Sequence, residues 1–194
     1  MNHDLYQLLY GQESLNLQLF LLINHARHPL GDLLAPLLTY LGGSWAIYAY
    51  LPLLLAVSLR WGELLPRRYV WLYCLATVIG FGCENLLKEL FQVPRPAAAL
   101  GLDQVRVLGE VKLHNSLPSG HAVFAFLTAV MLGHRRSWRW QVPLYGFALA
   151  VAWQRVYVGA HYPLDVLAGA LVGAAVGLSV WHCHEWLASR RPPP

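Results

Sequence analysis

An all-α, polytopic membrane bundle of five to six transmembrane helices, led by a short N-terminal interfacial helix, is the fold class this sequence predicts. Three observations predict it. The 194-residue chain is 57% hydrophobic. Charged residues make up 12% of it, against roughly 25% in soluble domains. Apolar stretches recur along the whole length and are separated by short arginine-bearing pieces, the pattern of one compact helical unit over residues 1–194 without a linker or internal repeat.

The opening "MNHDLYQLLYGQESLN" is polar-interspersed and has no basic leading region, so it does not read as a signal peptide. From Ser14 to His25, Leu15, Leu19, Leu22 and Ile23 fall at helical spacing. That stretch is shorter than the roughly 20 apolar residues a span needs, and a helix lying in the interface is expected. Leu33 to Leu59 is long enough to cross, with Gly42, Gly43 and Pro52 as bend points. Further helices are expected from Tyr69 to Phe91, Ser119 to Gly133, Val142 to Val158 and Pro163 to about Trp186. This gives five crossings, or six if the leading helix also spans.

Cytoplasmic loops retain Lys and Arg. Alternating the crossings puts Arg60, Arg67, Arg68, Arg135, Arg136, Arg139, Arg190 and Arg191 on one side, which is therefore read as the cytoplasm. The loop from Gln92 to Pro118 and the turn "VGAHYP" fall on the opposite side. The terminal "RRPPP" reads as a frayed tail.

Ionisable residues in or beside spans are costly and mark function by default. "ENLLKELFQVPRP" supplies Glu84, Lys88 and Glu89, then Arg95 beyond a helix-ending Pro94. Glu84 and Lys88 are four apart and can pair on one face. Taken alone, Lys88 fits equally a lysine snorkelling at a helix end. In "LPSGHAVF", Ser119 is placed as an N-cap, with Gly120 and His121 in the first turn. The unpaired N–H groups and helix dipole there suit an anion, and Gly120 admits close approach to the backbone. At about 1.5 Å per residue, that helix is only about 22 Å long, so the site is expected to lie recessed. In "QRVYVGAHYPLDVLAG", Arg155 ends one helix, His161 sits in a turn, and Asp165 follows Pro163 in the next first turn. A four-residue interval lets the Asp165 carboxylate approach His161 Nδ1 and leave Nε2 free as a nucleophile.

In order, the three pieces read Lys-x6-Arg-Pro, Pro-Ser-Gly-His and Arg-x5-His-x3-Asp, all on the side opposite the eight arginines assigned to the cytoplasm. This combination resembles the type-2 phosphatidic acid phosphatase superfamily of membrane lipid phosphatases and soluble vanadium haloperoxidases. The apolar spans are incompatible with the soluble members. The resemblance implies that His161 attacks phosphorus, Asp165 orients it, and His121 serves as general acid and base. It further implies that Lys88, Arg95 and Arg155, with the Ser119 hydroxyl and Gly120 N–H, hold the phosphoryl oxygens. Neither a metal nor a cofactor is expected. The partners implied are a lipid phosphate substrate and the bilayer, with no nucleic acid; the oligomeric state stays open.

Among the family, the short chain, leading interfacial helix and outward-facing site look most like bacterial undecaprenyl-diphosphate phosphatases of the inner membrane. Phosphatidylglycerophosphate, phosphatidate and lipid A phosphates are the alternative substrates, and phosphotransfer to a lipid acceptor the alternative reaction. A non-catalytic headgroup-binding protein would need only the cations, not the His161, Asp165 and His121 set. Two departures touch specificity: Gln154 stands where the family's third motif begins with Ser, and Ala97 where an Arg often follows Arg-Pro. Cys74, Cys83 and Cys183 have no spacing for a disulfide or zinc site, and His182 and His184 in "HCHEW" read as a polar helix end. Gly169, Gly173 and Gly177 form a stripe of small residues that suits packing within the bundle or a dimer seam.

Overall fold

The structure, a computed structural model, describes residues 3–190. Arg191 and the prolines after it lie outside the described residues. The elements are α1 (His3–Tyr10), α2 (Leu15–His25), α3 (Pro29–Gly42), a 3-10 turn (Ser44–Ala46), α4 (Ile47–Arg60), α5 (Arg67–Phe91), α6 (Pro96–Leu100), α7 (Gly120–Gly133), α8 (Trp138–Tyr157) and α9 (Pro163–Ser189). Among the described residues there is no strand.

The most enclosed helix is α7, which packs against α9, α8 and α5. It buries Ala122, Val123, Phe124, Leu127, Val130 and Met131 on several sides at once, so protein rather than lipid surrounds it. A helix jacketed in this way need not match the thickness of the hydrocarbon. The stripe Gly169, Gly173 and Gly177 on α9 faces α7. A Cβ at Gly169 would lie 2.5 Å from the Ser119 carbonyl oxygen and 2.9 Å from Ala122 Cβ, and one at Gly177 2.8 Å from Val130 Cγ1. The stripe thus serves packing inside the bundle, where absent side chains let the two backbones approach.

Outward-facing Leu33, Trp71, Leu86 and Leu171 are exposed, the surface expected of a protein whose solvent is lipid. By length and composition α9 can cross a bilayer, as can the run from Arg67 through Leu100. A third span forms if α3 and the helical run from Ser44 to Arg60 count as one, although they meet at 59°. The single crossing expected from Leu33 to Leu59 is therefore two helices broken at Gly43. Gly43 is extended and ends α3, so the chain turns there before the 3-10 turn restarts it. Another difference concerns α8, which begins at Trp138 instead of Val142. Ser137 is its extended N-cap residue, and the "WRWQ" that reads as loop from its polarity is the first turn.

At the N-terminus, α2 begins after Ser14, whose Oγ accepts the Leu17 N–H at 3.2 Å. Before it comes α1, a helix with no clear signal in its polar-interspersed sequence. Phe20 on α2 and Tyr10 at the end of α1 both pack on Tyr162, at ring-centroid distances of 5.2 Å each. These contacts bring the leading helices under the turn that carries His161. Cys74, Cys83 and Cys183 are free thiols.

Candidate active site

Each motif is delivered by a helix end. Near the C-terminus of α5, Lys88 Nζ pairs with the Glu84 carboxylate one turn earlier, at 2.5 Å. The helix stops at Gln92, which takes a left-handed conformation (φ 47°). Pro94 then leads to Arg95, the residue capping α6. Arg95 is 8% exposed. Its Nε donates to the His114 carbonyl at 2.9 Å, and its Nη1 lies 3.2 Å from both the Ala160 carbonyl oxygen and His161 Nε2. One guanidinium thus ties the long α6–α7 connection to the α8–α9 turn.

The N-terminus of α7 is anchored from α9, because the Ser119 N–H donates to the Asp165 carbonyl at 2.9 Å. Ser119 occupies the N-cap position, but its side chain makes no capping bond, contrary to the expected cap. Its Oγ is buried with no partner among the described residues, at the start of a helix whose first N–H groups lack helical acceptors. Gly120 is packed directly against the Glu84 carboxylate, and any Cβ there would collide with it. The His121 ring rests against Gly43, whose Cβ position is 3.0 Å from His121 Nε2.

His161 is 2% exposed, and its backbone N–H donates to the Arg155 carbonyl at 3.2 Å. Burial first, and then the Arg95, Arg155 and Lys88 cations, hold its imidazole well below the ordinary histidine range, so the ring is neutral. Asp165 comes near, as the spacing suggests, but its Oδ2 is 3.7 Å from Nδ1, beyond hydrogen-bond range. Ser116 fills the gap. Its Oγ donates to Asp165 Oδ2 at 2.5 Å and stands 3.5 Å from His161 Nδ1. Tyr10 donates its hydroxyl to Asp165 Oδ1 at 2.8 Å, and the Tyr162 N–H donates to Oδ2 at 2.9 Å. Nor is Nε2 free, since Arg95 Nη1 stands against it.

These groups surround one cavity of about 650 Å³. Lys88, Arg95, Gly120, His121, Arg155 and His161 all line it, and Asp165 and Ser119 are fully buried beside these lining residues. Tyr40, Trp45, Glu110 and Lys112, all exposed, line it as well. The volume falls in the range of small-ligand sites, and three cations with two imidazoles favour an oxyanion. Among the described residues no group of three or more His, Cys, Asp or Glu is placed to hold a metal ion.

The PAP2 superfamily model matches residues 69–189, the stretch that holds every one of these motifs. The chain belongs to the PAP2 superfamily. YbjG of Escherichia coli K12 is 32% identical to this PAP2 protein over 167 residues, spanning 83% of this chain and 78% of YbjG. Undecaprenyl-diphosphatase BcrC of Bacillus subtilis is 28% identical over 178 residues, 91% of this chain and 81% of BcrC. The crystal structure of Aquifex aeolicus LpxE superposes with a TM-score of 0.76 at 33% identity, covering 88% of this chain and 97% of LpxE. The integral-membrane reading of the apolar helices agrees with this membership.

Ser116, Tyr10 and Thr39, the last a cavity-lining residue of α3, escaped the sequence reading as site residues. Tyr10 lies 155 positions from its partner, and neither it nor Thr39 belongs to a motif. Ser116 had the one available signal, a small hydroxyl two residues before Pro118-Ser119.

Proposed function

We propose that this protein hydrolyses a phosphate or diphosphate ester of a lipid, undecaprenyl diphosphate foremost, through a phosphohistidine on His161. The observation that carries the proposal is the convergence of His161, His121, Lys88, Arg95 and Arg155 on one cavity. The neutral His161 Nε2 lone pair attacks phosphorus as Arg95 shifts from that nitrogen to a phosphoryl oxygen. The bond from phosphorus to the leaving oxygen breaks, and His121 gives that oxygen its proton. With a diphosphate, the departing group is the lipid monophosphate. Water then attacks the phosphorus of phosphohistidine, its proton goes to His121, and the P–N bond breaks to return His161 and release inorganic phosphate. Lys88, Arg95 and Arg155, with the spare Ser119 hydroxyl and the Gly120 N–H, offset the charge that grows on the equatorial oxygens. Three fixed cations can meet that demand without a metal.

The diphosphate substrate is favoured by the name of BcrC together with its coverage of most of the chain. The broken α3–α4 pair, α5, α7, α8 and α9 supply five crossings in this reading, with α1 and α2 at the interface. Arginine placement supports a reading with the α4–α5 and α7–α8 connections in the cytoplasm and the cavity at the periplasmic or outer face of a bacterial inner membrane.

Purified protein in detergent with EDTA, offered undecaprenyl diphosphate, lipid A 1-phosphate, phosphatidylglycerophosphate and phosphatidate, should release phosphate, fastest from the first. Release from none of them, or equal release by His161→Ala, would reject the enzyme reading. Labelling Arg106→Cys but not Arg136→Cys from outside intact cells is the expected orientation, and the reverse pattern would invert it.

A further inference from the structure

Gln154 stands where the family resemblance expects a hydroxyl next to Arg155, and the structure supplies a hydroxyl from another helix. Thr39, in the last turn of α3, lies on the cavity wall. Its Oγ1 donates to the Ala35 carbonyl at 2.9 Å and accepts from Arg155 Nη1 at 3.1 Å and from Gln154 Nε2 at 2.8 Å. Gln154 is fully buried, and its Nε2 also donates to the Ala35 carbonyl, at 3.0 Å. A carbonyl can only accept, so the amide nitrogen must face it, and the Thr39 proton is committed to the same carbonyl. What Thr39 offers Arg155 is therefore a lone pair, with no rotational ambiguity. Arg155 Nε is buried and has no partner among the described residues.

We propose that Thr39, locked by Gln154, is a positioning residue for Arg155, holding Nη1 so that the guanidinium stays directed at the cavity it lines, where the phosphoryl group would bind. This deepens the phosphatase reading and rests on its assignment of Arg155 to the phosphate. An arginine on a flexible side chain must be ordered before it can bind an oxyanion, and here that ordering is completed before the ligand arrives. The departure at 154 is thereby compensated: the amide is long enough to reach across to α3, and the hydroxyl it secures stands at 39. The same α3 turn meets His121 through Gly43, so displacing it would disturb both sides of the cavity.

The test is binding of inorganic phosphate, measured by calorimetry on the full-length protein in detergent, for wild type, Thr39→Val, Thr39→Ser, Gln154→Ala and the Thr39→Val/Gln154→Ala double variant. Removing a neutral partner from a charged donor should weaken phosphate binding by about tenfold in Thr39→Val. Thr39→Ser should stay within about twofold of wild type, and the double variant should be no weaker than Thr39→Val, because the two residues act as one unit. A purely structural role would lower the phosphate-free melting temperature and leave the affinity of the folded protein unchanged. Affinity within about twofold of wild type in folded Thr39→Val, or losses that multiply in the double variant, would overturn the proposal. Should Thr39→Val fail to fold, Gln154→Ala decides alone: weaker phosphate binding supports the relay and unchanged binding overturns it. Lipid turnover is read separately. Coupled losses of phosphate affinity in a protein that releases phosphate from no lipid would reject the enzyme reading alone, whereas normal turnover with unchanged affinities would reject this inference alone.

Discussion

Ser116 donates its hydroxyl proton to Asp165 Oδ2 at 2.5 Å and so stands between that carboxylate and the ring it is expected to orient, 3.5 Å from His161 Nδ1. The orienting pair is in effect a trio. Ser116→Ala should lower turnover about tenfold or more with little change in KM, since the lost bond is to a charged group and acts on the proposed nucleophile, not on substrate affinity. Steady-state phosphate release checks it, and an unchanged rate would mean that Asp165 reaches Nδ1 without help.

Tyr10 gives the buried Asp165 carboxylate a further donor from the far end of the chain. Tyr10→Phe keeps the aromatic packing on Tyr162 and removes only the hydroxyl, so it should cost about 1–3 kcal/mol of stability. The expected observation is a lower thermal midpoint in detergent, accompanied by a smaller fall in activity than Ser116→Ala produces.

Tyr10 also marks where sequence reading stops. The helix from Gly120 to Gly133 is legible from its apolar run, and Lys88, Arg95, His121, Arg155, His161 and Asp165 are legible because they interrupt apolar sequence in three motifs whose combination resembles a known family. Ser116, Thr39 and Tyr10 are ordinary residues whose partners are chosen by three-dimensional packing, and no local pattern announces them. The break at Gly43 was legible as a bend point but not in degree, because whether a helix resumes its direction after a glycine depends on what its two halves pack against. The first turn of α8 was hidden by "HRRSWRW", where arginines and tryptophans suited to a membrane interface look like loop.

Gly169 on α9 is pressed against the Ser119 carbonyl, whereas Gly146 on α8 has open space around its Cβ position. Gly169→Ala should destabilise by about 1–3 kcal/mol and depress activity by pushing the N-terminus of α7 off the cavity. Gly146→Ala should be neutral or stabilising by up to about 1 kcal/mol, as expected for alanine in a helix. Paired melting curves check the contrast, and equal effects would mean that the α7–α9 contact is slack.

His161 is neutral and held well below the ordinary histidine range, while an unfolded histidine titrates near about 6.5. Below that pH the unfolded chain binds a proton that the folded site refuses, so this residue's contribution to stability is lost as pH falls, by up to about 1.4 kcal/mol per pH unit. Wild type should therefore lose more stability between about pH 7.5 and 5.5 than His161→Asn does, in phosphate-free buffer. Parallel curves would show that the ring is not shielded as described.

The central claim is that His161 carries the phosphoryl group between the two half-reactions. Wild-type protein mixed with undecaprenyl diphosphate, quenched in alkali within a turnover and digested, should yield a phosphorylated peptide containing His161, with the label lost on acid treatment and absent from His161→Ala. A label on any other side chain, or rapid phosphate release in which no labelled peptide forms at any quench time, would contradict it.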